Sequence, residues 1–172
     1  DLTKPGLMLS AAVWPVYQDT WEWWNAGDGY DGFCQDSLGW LSADIVEAIC
    51  PMFYLGSITS DDGQFAALVG DFAARAQGRP VVTGITCTYD EFAPIGRRID
   101  LARAAGVDGQ ALFAYSHINR HGYWDELRGG PYATPASVLP PRAARERVCN
   151  RLRSGSPVGL SASGQNAWWA AL

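Results

Sequence analysis

The stretch Phe33–Tyr54, FCQDSLGWLSADIVEAICPMFY, decides the fold that this sequence predicts. It contains Ile45–Cys50, a short β-branched apolar run that is typical of a strand buried on both faces of a parallel sheet. Pro51 cannot donate to a strand ladder, so we expect regular pairing to end there. Phe53 and Tyr54 then follow at the carboxyl end of the strand, where α/β folds place their binding sites. The alternative is that these rings only cap a hydrophobic core.

The composition is typical of a globular chain of one domain. Of its 172 residues, 48% are apolar and 18% are charged, which allows a sizeable core and excludes a disordered chain. The net charge is −5 and no basic stripe interleaves with aromatic residues, so nucleic acid is not expected as a partner. No apolar run approaches the roughly 18 residues that a membrane span needs.

The four cysteines show neither the CxxC pairs nor the neighbouring histidines of a zinc site. We therefore predict no metal and no cofactor. Cys50 and Cys87 lie in apolar, strand-like runs and are expected to be buried thiols. The chain begins at Asp1 without a signal peptide, which indicates a processed or incomplete chain.

Strands and helices are predicted to alternate along the chain. Besides Ile45–Cys50, the predicted strands are Leu7–Trp14, Val81–Thr86 and Gln110–Tyr115. The first of them has apolar residues in both alternating sets, so we expect it to be buried on two faces. The predicted helices are Gln35–Leu41, Gly63–Ala76 and Ile95–Ala105.

This alternation predicts a parallel sheet built from βα units. The strand ends near Trp14, Tyr54, Tyr89 and Ser116 are 40, 35 and 27 residues apart. A complete (β/α)₈ barrel of roughly 250 residues uses about 30 residues per unit. We therefore expect an α/β fold of TIM-barrel type with about four units, half a barrel, over residues 1–141, and we assign no structure to a tail over 142–172.

Two of the predicted helices carry local signals. Ser60–Asp62 provides N-cap candidates for the helix that ends before Gly78. Its expected buried face is Phe65, Leu68, Val69 and Phe72. In the following helix we expect Ile95, Ile99, Leu101 and Ala102 to point inward and Arg97, Arg98 and Arg103 to point outward.

A set of short motifs occurs in a fixed order over Lys4–Pro140. They are Lys4-Pro5, Gln35-Asp36 with Trp40, Pro51-Met52-Phe53-Tyr54, Thr83-Gly84-Ile85, Gly106-Val107-Asp108-Gly109 and Leu112-Phe113-Ala114-Tyr115. Together they resemble the carboxyl-terminal half of glycosyl-hydrolase-like family 10, whose members are TIM-barrel glycosidases. The resemblance implies hydrolysis of a polysaccharide, such as a bacterial wall or capsule glycan, outside the cytoplasm.

This sequence also departs from the family pattern. In the family, the fourth strand carries an acidic residue expected to act in catalysis, and nothing in this chain matches it. The loop from Pro15 to Phe33 is unusually rich in Trp, Ala114 stands where the family has Ser, and the tail from Arg142 onward matches no family feature. Activity is therefore expected only if an amino-terminal half barrel is supplied.

Three acidic residues are candidates for the carboxylate pair that glycoside hydrolysis needs. Asp90 and Glu91 follow the third strand, where a barrel presents catalytic groups, although both are also placed to cap the next helix. Asp36 lies in one of the family-like motifs, but it precedes a helix and is equally suited to bind backbone amides.

Aromatic and polar residues near the strand ends are candidates for sugar binding. Rings stack on sugar faces, while hydroxyls and imidazole bind sugar oxygens. The candidates are Trp14, Tyr17, Trp23, Met52, Tyr54, Tyr89, Tyr115 and His117. Packing in the core is the alternative for Tyr115, and a loop histidine bonded to its own surroundings is the alternative for His117. The cluster of Trp14, Trp21, Trp23 and Trp24 suits either sugar subsites or the cover of a hydrophobic face.

Three functional hypotheses follow from the sequence. The first is a glycosidase-like barrel segment that acts on a polysaccharide. The second is a carbohydrate-binding remnant that lacks the acid pair. The third is an assembly module, because a four-stranded half barrel leaves two unpaired edges that invite pairing with a second copy or with a missing amino-terminal half.

Overall fold

A computed structural model describes residues 8–23 and 27–136, and within them the chain folds as an α/β protein around one parallel sheet. The strands are β1 (Ser10–Val13), β2 (Ala48–Phe53), β3 (Val82–Thr86) and β4 (Gly109–Phe113). The order in the sheet is β1-β2-β3-β4, so each strand lies parallel to the next one along the chain. The predicted α/β class and parallel sheet are confirmed.

Helices fill the connections between the strands. They are α1 (Gly29–Phe33), α2 (Ser37–Ser42), α3 (Gly56–Ser60), α4 (Asp62–Arg75), α5 (Ala93–Ala104), α6 (Tyr115–His121) and α7 (Trp124–Gly129). The sequence did not predict α1, α3, α6 or α7, because helices this short do not repeat the 3.6-residue pattern. Trp24, Lys4-Pro5, Pro140 and the predicted tail over 142–172 lie outside the described residues.

The helix α4 forms as its sequence predicts. The carboxylate of Asp61 caps it by accepting the backbone N–H of Gln64 at 2.9 Å. Its four apolar side chains, Phe65, Leu68, Val69 and Phe72, are all buried. Phe53 of β2 packs edge-on against two of these rings, with centroid distances of 5.4 Å to Phe65 and 6.2 Å to Phe72.

The helix α5 buries one side chain that was expected to face solvent. Ile95, Ile99 and Ala102 are buried as predicted, but Arg98 is buried as well, with 4% of its surface exposed. Its guanidinium lies 4.8 Å from the centre of the Phe65 ring and forms an ion pair with Asp62. The outward prediction for Arg98 is wrong because α4 provides both a carboxylate and a ring face for the charge.

The two faces of the sheet have different surroundings. The covered face includes Val13, Ile49, Phe53, Val81 and Ile85, which belong to the same core as the buried helix side chains. We call the opposite side the open face; its residues are Ser10, Ala12, Ala48, Cys50, Met52, Val82, Gly84, Thr86, Gly109, Ala111 and Phe113, placed side by side by the strand register. No open-face residue belongs to the core, although Ala48, Gly84 and Thr86 are buried.

Burial on both faces was expected for the first two strands; the described residues contradict it for β1 and support it only in part for β2, where Ala48 is buried on the open face. On the open face, Ser10 and Ala12 are exposed, and Cys50 and Met52 are half-buried. The apolar pattern of β1 is mostly alanine on this side, and alanine fits an exposed position as readily as a buried one. The sheet is therefore packed by helices on one side only.

The prediction that pairing ends at Pro51 holds for the ladder to β1 and is wrong for the ladder to β3. Pro51 lies inside β2, opposite Val13 of β1, and the strand continues to Phe53. The ladder to β1 ends at the pair Val13–Pro51, whereas β2 continues to Phe53 by pairing with β3. The ladder from β2 to β3 is interrupted and is regular from Met52 onward.

Candidate functional site

The carboxyl ends of the four strands define one edge of the sheet, which we call the rim. The rim residues are Trp14, Tyr54, Cys87–Glu91 and Ala114–His117, each following its strand directly. All four strands are parallel, so these residues lie at the same edge. In parallel α/β sheets this is the edge at which ligands bind.

A stacked ring pair, Tyr54 with Phe113, forms an aromatic platform at the rim. The ring centroids are 4.7 Å apart and the planes differ by 19°. Because Tyr54 follows β2 and Phe113 ends β4, the pair crosses over β3, which lies between them. Phe113 keeps 42% of its surface exposed, so part of the platform is accessible to solvent.

Gly84 of β3 makes room for this platform. A Cβ at Gly84 would lie 2.8 Å from the Tyr54 hydroxyl and 2.8 Å from the carbonyl oxygen of Pro51. Both distances are far inside van der Waals contact, so a side chain here would push the Tyr54 ring off the sheet. Phe113 was not among the predicted site residues, and it is identified by its place opposite Thr86 in the last register pair of β4, which only the structure shows.

The Tyr54 hydroxyl is a neutral hydrogen-bonding group. Burial is the main cause that raises the pKa of Tyr54 to about 12, and the nearby Cys50 and Cys87 contribute to the rise. The hydroxyl makes no hydrogen bond to any described residue of the protein. It can both donate and accept at neutral pH, which suits a sugar hydroxyl.

A second aromatic pair lies beyond the platform. Tyr115, the first residue of α6, contacts Trp124 of α7 with a centroid distance of 5.5 Å. Tyr115 is 55% exposed, so its alternative role in core packing is excluded. His117 lies half-buried in the first turn of α6, on the same side of the fold.

The loop from β3 to α5 presents two acidic side chains. It is held by Tyr123, whose hydroxyl donates to the backbone oxygen of Tyr89 at 3.0 Å. Asp90 and Glu91 are exposed, and neither carboxylate forms an ion pair or hydrogen bond with any described residue. The pKa of Tyr123 is raised, first by burial and then by the negative charges of Asp90, Glu126 and Glu91.

The helix-capping alternative for Asp90 and Glu91 is not what the structure shows. The helix α5 begins at Ala93, its N-cap residue is Phe92, and no side chain bonds to its first amides. Pro94 occupies the first turn, where the missing N–H needs no partner. Both carboxylates therefore remain available for a ligand at the rim.

A cleft of about 490 Å³ opens beside this loop, within the size range of small-molecule sites. It is lined by Ser60, Asp61, Asp62, Gly63, Tyr89, Pro94, Arg97 and Arg98. Two of its acids have structural roles, because Asp61 caps α4 and Asp62 forms ion pairs with Arg97, at 3.2 Å, and with Arg98. Tyr89 contributes an aromatic side chain to its wall.

The structure does not bring Tyr17 and Asp36 to the rim. The Tyr17 hydroxyl donates to Oδ1 of Asp36 at 2.7 Å, and the N–H of Gly39 donates to the same oxygen at 3.0 Å as Asp36 caps α2. Arg75 lies 4.6 Å above the Tyr17 ring. Arg75 is in the last turn of α4, which leads toward the amino end of β3 and thus away from the rim. Asp36 therefore has the structural role that the sequence left open.

The described tryptophans near the end of β1 occupy two positions. Trp14 lies directly after β1 and packs on Phe33 with a centroid distance of 4.2 Å, while its indole Nε1 is buried without a hydrogen-bond partner among the described residues. Trp21 and Trp23 stack at 5.1 Å in the loop after β1, with Trp23 exposed. Met52 lies half-buried on the open face, one residue before the covered Phe53.

Thiols, metal ligands and membrane segments add no further site within the described ranges. Cys87 is buried as predicted, Cys50 is half-buried on the open face, and Cys34 is exposed. No group of His, Cys, Asp and Glu side chains over residues 8–23 and 27–136 is arranged to hold a metal ion. In the same residues, no helix has the length and apolar character to cross a membrane.

No protein-family model matches this chain, and a search of the curated proteins also finds no match.

Proposed function

We propose that this chain is half of a glycosidase-like (β/α)₈ barrel that binds a polysaccharide at the rim. The single observation that carries the proposal is the aromatic platform of Tyr54 and Phe113, which lies on Gly84 at the carboxyl edge of a parallel sheet. Stacked rings with one exposed face are the usual surface on which a sugar ring packs.

The order of the strands supports the half barrel. Doubly wound sheets reverse their strand order at a switch point, and the ligand then binds at that point. Here the order β1-β2-β3-β4 runs in one direction without a reversal. The described helices pack on one face, as the outer ring of a barrel does, which leaves the open face in the position of a barrel interior.

Asp90 and Glu91 are the proposed acids of the hydrolysis. Glycosidases place two carboxyl groups about 5 to 5.5 Å apart for retention and roughly 6.5 to 9.5 Å apart for inversion, on opposite sides of the scissile bond. Neighbouring residues of one loop lie on the same side of a substrate. One of them therefore acts as general acid or as nucleophile, and the second carboxylate comes from the remaining units of the barrel.

A specific observation favours a second candidate function, binding without hydrolysis. Asp36 is tied to Tyr17, Asp61 caps α4, and Asp62 is paired with two arginines. Of the acids the sequence singled out or the cleft contains, Asp90 and Glu91 alone lack such a structural role among the described residues. A rim with one acidic pair on one side binds a glycan without cleaving it.

The binding experiment titrates the chain with bacterial wall and capsule polysaccharides by calorimetry. We expect Phe113→Ala to weaken binding about tenfold, since a ring contact of this kind is worth roughly 0.5 to 1.5 kcal/mol. Tyr30→Ala is the matched control, because Tyr30 is 41% exposed but contacts Tyr17, which lies away from the rim. Equal affinities of the two variants for every glycan would remove the platform as the binding surface.

The hydrolysis experiment measures reducing-sugar release by the same variants and by Glu91→Gln and Asp90→Asn. If one of these acids is catalytic, its variant loses about 10²-fold or more in rate while glycan binding is kept. Release that is unchanged in both variants excludes the two acids from catalysis. Binding without release by the parent chain selects the second candidate function.

A further inference from the structure

The described sheet is unfinished at both edges. Of the described strands, β1 pairs only with β2, and β4 pairs only with β3. An unpaired edge presents a row of N–H and C=O groups that proteins usually cover or pair. The two free edges also run in the same direction, so a parallel strand can extend the sheet at either side.

The open face is graded in side-chain size. Toward the amino ends of the strands it carries mostly small residues, Ser10, Ala12, Ala48 and Gly109, with Val82 as the larger one. Toward the rim it carries Met52 and Phe113, with the Tyr54 ring laid over Gly84. Parallel sheets are almost always covered on both faces, so a face of this composition calls for a partner.

The area of the open face decides what kind of partner fits. Four strands spaced about 4.8 Å apart, with about five residues of roughly 3.3 Å each, span on the order of 300 Å². A stable protein–protein interface needs about 800 Å² from each partner. A peptide or domain laid flat on the face falls well short of this area. A partner can bury the area of a stable interface if it also pairs with both edges of the sheet. Its helices then pack against the helices beside those edges.

We propose that this partner is a second copy of the chain. A two-fold axis along the direction of the barrel pairs β4 of each copy with β1 of the other, so both edges are satisfied at once. The result is a closed sheet of eight parallel strands, the number found in a (β/α)₈ barrel, with two-fold symmetry. This inference rests on the half barrel of the proposed function.

The second copy completes the site as well as the sheet. Each copy brings its own aromatic platform and its own Asp90 and Glu91 to the common mouth, on opposite sides of the two-fold axis. Carboxylates then face the substrate from two sides, as glycoside hydrolysis requires. Among the described residues, a single chain offers Asp90 and Glu91 from one side only.

The experiment measures the mass of the full chain in solution by light scattering at several concentrations. We expect twice the chain mass of 18.6 kDa at about 10 μM and above. Ala12→Arg places a charge on the exposed part of the open face and should shift the dissociation constant of the dimer at least tenfold. Ala104→Arg is the matched control, because Ala104 is exposed on α5, away from that face.

Thiol labelling provides a second measurement that does not depend on the folding of a variant. Cys50 lies on the open face, so the dimer should protect it and dilution should expose it, while the exposed Cys34 labels at all concentrations. A monomer at the highest concentration overturns the proposal, and so does a dimer that Ala12→Arg leaves intact. A monomer in which Cys50 is protected also overturns it, because the chain then covers its own face.

The two proposals fail in different ways. Glycan binding that is lost in Phe113→Ala but carried by a monomer refutes the second copy and leaves the proposed function standing. A dimer that Ala12→Arg dissociates, but that binds no glycan, refutes the proposed function and leaves the second copy standing.

Discussion

Met52 and Phe53 are neighbours in β2, yet their side chains meet opposite surroundings. Phe53 lies on the covered face with 1% of its surface exposed, between the rings of Phe65 and Phe72. Met52 lies on the open face, half-buried and outside the core. The comparison shows that the two faces of one sheet differ, since one packs in the hydrophobic core with the helices and the other contributes no residue to that core.

The two faces are built from different side chains for this reason. The covered face uses large apolar residues that interlock with α4 and α5, where dense packing is the source of stability. The open face uses mostly small residues and places its large rings at the rim. Stability is therefore expected to depend on the covered face, and binding on the open one.

The largest expected effect breaks the packing of the covered face. Phe53→Ala removes a fully buried ring and should lower the free energy of unfolding by about 3 to 5 kcal/mol, as large core truncations do. Met52→Ala should cost less than about 1 kcal/mol, because its side chain touches no core residue. Urea unfolding of both variants as monomers, at one protein concentration well below that of the proposed dimer, measures the difference. Equal losses would mean that the open face is packed like a core.

Replacing a glycine by alanine should change the free energy of unfolding by a smaller amount, and with opposite sign at two positions. One glycine lies under the platform and the other in the helix α4. Gly84→Ala forces a Cβ against the Pro51 carbonyl and the Tyr54 hydroxyl, and should cost about 1 to 3 kcal/mol and weaken glycan binding. Gly70→Ala lies in α4 with open space around the new methyl group, and should stabilise by roughly 0.5 to 1 kcal/mol.

Urea unfolding and calorimetry test both glycine variants. A Gly84→Ala protein as stable as the parent, with unchanged binding, would contradict the close approach of the Tyr54 ring to the sheet.

The features of the fold that depend on residues close together in the chain were predicted from the sequence. The helix α4, its Asp61 cap and its buried face follow from residues within one segment, and the alternation of strands and helices predicts a parallel sheet. The burial of Arg98 was not predictable in this way. It depends on Asp62 and Phe65, which belong to another helix.

The candidate site was predictable only in part, for the same physical reason. Strand ends predicted Tyr54, Tyr89 and the acidic pair at the rim, and topology alone places them there. The platform needs Phe113 to reach across β3, and the Tyr17–Asp36 hydrogen bond joins residues 19 positions apart. Neither contact leaves a periodic pattern in the sequence, so sugar binding by Tyr17 and catalysis by Asp36 were assigned by position alone.

The smallest expected effect at neutral pH is that of replacing either of two thiols that lie on opposite faces. The thiols change the pH dependence of folding stability only in alkaline solution. Burial raises the pKa of Cys50, on the open face, to about 11 and that of Cys87, on the covered face, to about 12, from 9.0 in each case. Between pH 9 and these values the unfolded chain loses the thiol protons while the folded chain keeps them. Stability is therefore full below pH 9 and falls as the pH rises.

Cys87→Ala should flatten this alkaline decline over a wider pH range than Cys50→Ala, because the shift of its pKa is larger. Urea unfolding of the three proteins between about pH 7 and pH 12 measures the slopes, which should differ between the two variants only above about pH 11. The Tyr54 pKa of about 12 adds a further decline above pH 10 that all three proteins share. If neither substitution changes the slope, the two thiols are no more buried in the folded chain than in the unfolded one, and Cys87 does not lie in the core beneath the helices.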